Sequence, residues 1–290
     1  MSFRTIVIKN RVKLELSMNY LICRGEKEVK INLDEISLVI IQNLASSTTI
    51  ALLSKLVEKK IGVIVCDEKN NPQFELVPYY STHNSFLKIK NQIIWSKNSK
   101  DYLWKEIIKK KIYFQAYNLK ILNYNDSEKK LLNYLNEIEL GDVTNREGHA
   151  AKVYFNTLFG QNFSRKNSSD VINKYLNYGY SIILSAINRE IVAFGYLSQL
   201  GIHHIGETNP FNLSCDFMEV LRPMIDSYVI KNIVNEENYK EVFINALSLK
   251  CKYENKIMFL DNAIHLYVQD LINYLNTGDI EKIKFIEYES

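Results

Sequence analysis

A change of hydrophobic period near residue 80 constrains this chain more than any other feature. Before it, runs rich in β-branched residues alternate with short polar breaks: RTIVIKN, VKLELSMNYLICRG, EVKINL, ISLVIIQN and GVIVCDE. Side chains of an extended strand point to opposite faces in turn, so these runs read as strands. In VKLELSMNYLIC, Val12, Leu14, Leu16 and Met18 share one face at two-residue spacing, which predicts one half-buried strand. One helix interrupts them. STTIALLSKLVEKKIG carries Ile50, Leu53 and Val57 at helical spacing, opens on hydroxyl residues able to cap it and closes near Gly62.

At ELVPYYSTHNS the pattern breaks, with Pro78 followed by small polar residues. Beyond it, strand signals are scarce. Segments such as KDYLWKEIIKKKIYFQAYNLKIL, VINKYLNYGYSIILSAINREIVAFG and MFLDNAIHLYVQDLINYLN repeat apolar residues at three and four spacing. The expectation is an α+β protein. A small N-terminal β-rich domain with one helix spans 1–78, a linker 79–84, and a larger all-helical C-terminal domain 85–290.

Composition excludes several classes. With 47% hydrophobic and 24% charged residues the chain is globular, not disordered. A net charge of +3 permits an anionic partner without requiring one. Cys23, Cys66, Cys215 and Cys251 are far apart with no CxxC pair, which argues against a zinc ribbon or a disulfide scaffold and for a reduced intracellular protein. MSFRTIVIKN lacks a basic head followed by an apolar core, so no signal peptide is expected. The longest uncharged stretch, ISLVIIQNLASSTTIALLS, is broken by Gln42, Asn43 and Ser46 to Thr49 and reads as strand, turn and helix, not as a membrane span.

The chemistry concentrates in GIHHIGETNPFNLSCDFMEVLRPMID. Asp216, Glu219, Arg222 and Asp226 follow at helical spacing beside an apolar stripe of Phe217, Leu221 and Met224, and Pro223 predicts a kink or local break. Taken alone, the charged stripe reads as a solvated face with a Glu219–Arg222 or Arg222–Asp226 salt bridge. His203 and His204 lie at a turn ahead of it. Such histidines are usually structural, yet a neutral imidazole beside a carboxylate also begins a nitrogen and oxygen metal site. A further oxygen comes from TNREGHAAKVYFNTLFG, where Thr144 or Asn145 caps a helix with Glu147 in its first turn. Glu147 is either a carboxylate favoured by the positive helix end or, on a face lined by Ala150, Ala151 and Tyr154, a paired or metal-bound one. His149 faces elsewhere.

Together REGHAAKVYF, LNYGYSIILSAINREIVAFG, LGIHH and NPFNLSCDFMEVLRPMID resemble the CRISPR-associated integrase, Cas protein number one, the spacer-acquisition nuclease of prokaryotic adaptive immunity. The resemblance covers the whole chain, with four segments in the family's order and spacing. It is strongest to the compact versions from systems with a single large effector nuclease. It implies that Glu147, His204 and Glu219 are catalytic metal ligands for Mg²⁺ or Mn²⁺, with Asp216, His203 and Arg222 near the ion or the substrate. Phe217 and Val220 stand where the family more often has leucine and proline.

The resemblance further implies a reaction in which the 3′-OH of a captured DNA fragment attacks a phosphodiester at the edge of a CRISPR repeat. No covalent protein intermediate is needed, so the nineteen tyrosines require no nucleophilic role. The implied assembly is a homodimer, through the β-domain, with Cas protein number two and other adaptation or effector proteins, on double-stranded fragment and repeat DNA in the prokaryotic cytoplasm. Candidate phosphate contacts are Arg146, Lys152, Arg165 and Lys166, with Lys109, Lys110 and Lys111 the densest basic patch. Two other readings stay open: a catalytically weak DNA-capture subunit with a structural metal, and an unrelated helical binding protein whose carboxylates only form salt bridges.

Overall fold

The computed structural model describes residues 4–68, 70, 72–78, 84–167, 169–232, 243 and 246–288. Two four-stranded sheets build the N-terminal part. The first runs β1 (Arg4–Ile8), β5 (Ile36–Ile41), β7 (Gly62–Cys66) and β8 (Pro72–Glu75), parallel except for β8. The second runs β4 (Glu28–Asn32), β3 (Tyr20–Arg24), β2 (Lys13–Ser17) and the short β6 (Ser47–Thr48). The single strand predicted through Met18 is instead the β2–β3 hairpin. Ser17 pairs with Tyr20, and Met18 takes a left-handed φ of 53° in the turn. Two-residue hairpin turns need such a positive φ, and apolar alternation continuing past the turn concealed it.

β5 and β7 are apolar apart from the buried Ser37 because both faces are covered. Ile36, Val39 and Val63 pack with Leu14 and Leu21 of the second sheet and with Leu52 and Leu56 of α1 (Ile50–Glu58). Leu38, Ile40, Ile64 and Cys66, on the opposite face, join the core of the helical part. The Thr49 hydroxyl caps α1 by accepting from the Leu52 N–H at 3.2 Å. The buried row of α1 is Leu52 and Leu56, while Ile50 is exposed, so the expected Ile50–Leu53–Val57 row forms the rim. Adjacent rows of a short helix are both apolar here, and packing selects between them.

The rest is mostly helical: α2 (Ser85–Ile93), α3 (Lys97–Ile121), α4 (Asn125–Leu135), α5 (Arg146–Phe159), α6 (Val171–Ala193), α7 (Asn212–Met218), α8 (Arg222–Asn232) and α9 (Leu260–Thr277). It is not wholly so. An antiparallel hairpin, β9 (Lys250–Tyr253) and β10 (Lys256–Phe259), takes Met258 and Phe259 from the start of a predicted helix. Of the predicted linker 79–84, residues 79–83 lie outside the described residues. α3 and α6 run through the core, each buried along much of its length. Glu75 of β8 accepts hydrogen bonds from Ser185 and Asn188 of α6, and Arg189 reaches the Ser37 carbonyl, so polar links join sheet and helices. Among the described residues no helix is long and apolar enough to cross a membrane.

Candidate functional site

The local break expected at Pro223 is present in the helical segment after Cys215. α7 ends at Met218, a 3-10 turn covers Glu219–Leu221, and α8 starts at Arg222. Proline at 223 lacks the N–H a continuing helix needs. The charged residues of this segment are not a solvated face: Asp216, Glu219 and Asp226 are 0%, 3% and 1% exposed. Three buried carboxylates on one segment each need compensation, and each finds it differently.

Asp216 is held by hydrogen bonds. Its carboxylate accepts from the backbone N–H of Ile202 (2.7 Å), His203 (3.1 Å) and His204 (3.0 Å), and from the His204 ring at Nδ1 (2.6 Å). The turn closes this tightly because residue 201 is glycine: a Cβ there would meet the His204 carbonyl oxygen at 2.3 Å and Asp216 Oδ2 at 2.7 Å. The bond to Asp216 outweighs burial and raises the His204 pKa. With Nδ1 engaged, Nε2 is the nitrogen left to face a ligand. His203 instead stacks on Trp104 of α3, ring centroids 4.0 Å apart at 4°.

Glu147 sits in the first turn of α5 as predicted, but it does not serve that helix's end. Asn145 caps the helix through the Gly148 N–H at 3.2 Å, and Asp142 accepts from the N–H groups of Arg146 (2.8 Å) and Glu147 (2.9 Å). The Glu147 side chain is thereby released to pair with Lys111 Nζ at 2.6 Å. Lys111, on α3, also binds Glu219 Oε2 at 2.5 Å, and Arg222 Nε holds the other oxygen, Oε1, at 2.7 Å. Burial pushes the Glu219 carboxyl up, but Arg222 and Lys111 overcome it and hold the group well below the usual carboxylate range. Burial likewise opposes charge on Lys111, and Glu147 and Glu219 reverse that. Lys111 is 5% exposed, so the expected basic patch at 109–111 does not exist as such. Lys109 pairs with Glu106 and Lys110 with Glu287.

Beside this cluster opens a cleft of about 190 Å³ lined by Lys111, Gln115, Glu147, Phe155, Arg165, Tyr180, Glu219, Arg222 and Asp226. Arg222 and Arg165 lie over the Tyr180 ring at 4.6 and 5.3 Å, and Arg165 is steadied by Asn173 and Asn177. Asp226 does not pair with Arg222. The Tyr180 hydroxyl donates to its Oδ1, and Oδ2 is buried without a partner. Burial pushes this carboxyl up to about 7, against the Tyr180 hydrogen bond and the nearby cations. Of the other predicted phosphate contacts, Lys152 and Lys166 are exposed, whereas Arg146 is half-buried and tied to Glu137 at 3.1 Å.

The predicted metal ligands can be tested against this geometry. Two carboxylates and an imidazole suit Mg²⁺ or Mn²⁺. Glu147 Oε1 and Glu219 Oε2 already lie within 2.6 Å of one common point, the Lys111 ammonium, so they converge on a single cation position. Among the described residues no three ligating side chains stand close enough together to hold an ion as they are. The donor chemistry suits such an ion, and Lys111 now fills the position between Glu147 and Glu219. Lys111, Trp104 and Asp142 were not singled out for these roles from sequence. On α3, Trp104, Ile108, Lys111, Gln115 and Asn118 recur at three and four spacing on one stripe, the signal that would have placed Lys111 inside.

Known proteins carry the same framework. Residues 5–258 match the family described as CRISPR associated protein Cas1. A CRISPR-associated endonuclease Cas1 from Neisseria meningitidis serogroup C (strain 8013) is 36% identical over 232 residues, covering 79% of this chain and 76% of the relative. Among solved structures, a casposase bound to integration product superposes with a TM-score of 0.77 at 19% identity, over 100% of this chain and 95% of that one. A chain of a Cas6-RT-Cas1–Cas2 complex gives 0.75 at 16% identity, over 100% of this chain and 37% of that longer one.

Proposed function

The chain belongs to the family of CRISPR-associated Cas1 proteins, and from that premise we propose that it is a metal-dependent DNA endonuclease and integrase of spacer acquisition. Its substrate is a captured double-stranded fragment whose 3′-OH attacks a phosphodiester at the edge of a CRISPR repeat. The bond from phosphorus to the flanking strand's 3′-oxygen breaks as the bond to the fragment's 3′-oxygen forms, the repeat end stays on the phosphate, and the proton given up by the nucleophile is matched by the one taken up by the leaving 3′-oxygen. The exchange therefore needs no redox partner and no external energy. The observation that carries this reading is the convergence of Glu147 and Glu219, from different elements, on one cation position at 2.6 and 2.5 Å.

Glu147, His204 and Glu219 would hold Mg²⁺ or Mn²⁺, which would stabilise charge at the attacked phosphate and help activate the nucleophile. The chain's own residues prepare the rest. Asp216 fixes the His204 ring so that Nε2 is presented as the nitrogen donor. Arg222 and Arg165, braced on Tyr180, place guanidinium charge along the cleft where phosphate oxygens would lie. Lys152 and Lys166 offer exposed charge for the flanking duplex. The protein acts as a homodimer joined through its β-domain, with Cas2 as partner and the prokaryotic cytoplasm as its place. The fold shared with the Cas6-RT-Cas1–Cas2 assembly supports that partnership.

The test is strand transfer into repeat-containing DNA in Mn²⁺, with and without Cas2. Glu147→Ala, His204→Ala and Glu219→Ala are each expected to lower the rate by more than the roughly 10- to 100-fold typical of outer-shell changes at metal sites. Full activity in all three variants rejects the site. An inactive wild type that still captures DNA fragments favours the DNA-capture reading.

A further inference from the structure

We propose that Lys111 is a two-position cation: it occupies the metal position between Glu147 and Glu219 when the site is empty of metal, and moves to Gln115 and Asp226 when metal loads. This rests on the metal-dependent reading above. The first position is fixed by the 2.6 and 2.5 Å contacts to the two carboxylates. Arg222 occupies only Glu219 Oε1, so Oε2, the oxygen that Lys111 holds, is the one a metal must take. Two carboxylates turned towards each other in a buried site repel, and the ammonium lets them stay convergent. The site is then pre-arranged for a divalent ion and, at the same time, already filled.

The second position is marked by two anomalies in the same cleft. Gln115 Oε1 and Asp226 Oδ2 are buried oxygens without a hydrogen-bond partner, and both residues line the cleft that Lys111 lines. Buried acceptors are rarely left unsatisfied, and each such group calls for a reason. Gln115 follows Lys111 by four residues on α3 and so shares its helix face. A lysine has a flexible four-carbon stem and a compact head, able to swing between two acceptor pairs. Arg222, braced on Tyr180, has no comparable freedom. Lys111 therefore competes with the metal for one pair of acceptors and is received by a second pair, which sets the metal concentration at which the site fills.

Mn²⁺ affinity of the full chain, measured by calorimetry without DNA, tests this. Lys111→Met removes the competitor and is expected to bind Mn²⁺ at least about 5-fold more tightly than wild type, the lower end of usual site-to-site coupling. Lys111→Arg keeps the charge and is expected to gain nothing. The paired change Gln115→Leu with Asp226→Asn removes the second position and is expected to weaken Mn²⁺ binding by about 5-fold or more. It decides the matter if Lys111→Met does not fold. Equal or weaker binding by Lys111→Met, or an unchanged affinity in the paired variant, overturns the proposal. If wild type and variants all fail to bind Mn²⁺, the metal reading itself falls, and this inference with it.

Discussion

Asp216 and Glu219 lie three residues apart and are both buried carboxyl groups, yet the protein satisfies them in opposite ways. Asp216 is surrounded by three backbone N–H groups and one imidazole, all within a single tight turn. Glu219 is matched by two whole cations, Lys111 and Arg222. Backbone donors cannot leave without unfolding the turn, whereas the head of a lysine can move at the cost of rotating its stem. The difference separates an acid fixed by the backbone from one held in ion pairs with mobile side chains. Burial alone does not distinguish them. Asp226, the third acid of the segment, shows the remaining option: with one partner and one empty oxygen, it is driven towards its neutral form.

The largest effect expected from breaking this contrast is at Asp216. Asp216→Ala leaves three N–H groups without an acceptor, at about 1–3 kcal/mol each, so urea unfolding is expected to show a loss of about 3–5 kcal/mol. Asp216→Asn keeps the shape and loses about half as much. A loss in the alanine variant below about 1 kcal/mol, the worth of one ordinary hydrogen bond, sinks the anchor assignment.

Asp226 comes next, through pH. Its folded pKa of about 7 lies above the ordinary value of about 3.9, so between those limits the folded state binds more protons than the unfolded one. Stability from this group is complete below about pH 4 and is lost as pH rises through 7. Asp226→Asn is expected to flatten that decline and to be more stable than wild type at pH 8 by about 2–4 kcal/mol. Parallel pH profiles for the two proteins, from 4 to 8, contradict the protonated state.

The smallest effect concerns the ion pair itself. Glu219→Gln and Lys111→Met are expected to couple by about 1–3 kcal/mol in a double-mutant cycle of unfolding free energies, because each charge is buried for the other. Zero coupling means that Glu147 or Arg222 carries the compensation alone, and Glu219 then behaves as fixed structure like Asp216.

Much of this was legible before any coordinates. The switch of period near residue 80 placed sheets before helices, the hydroxyl residues before Ile50 and the pair Thr144 and Asn145 announced helix starts, and the family likeness gathered Glu147, His204 and Glu219 as candidate ligands. The failures have physical causes. Alternation ran unbroken through Met18 because the turn there carries no glycine. The acids after Cys215 resembled a solvated face because helical spacing says which residues share a side, not whether that side meets water. Lys111 was masked by two neighbouring lysines that pair with Glu106 and Glu287 nearer the surface.

Sequence alone thus determined what acts within a turn or two of chain: periods, caps, the break at Pro223 and the identity of the acids. Tertiary structure alone decided the charge partners, since Lys111 meets Glu147 across 36 residues and Glu219 across 108. Local propensity reaches only about four residues along a helix. The inward stripe of α3 is chosen by what packs against it, and that packing turned one lysine of three into the cation of the site.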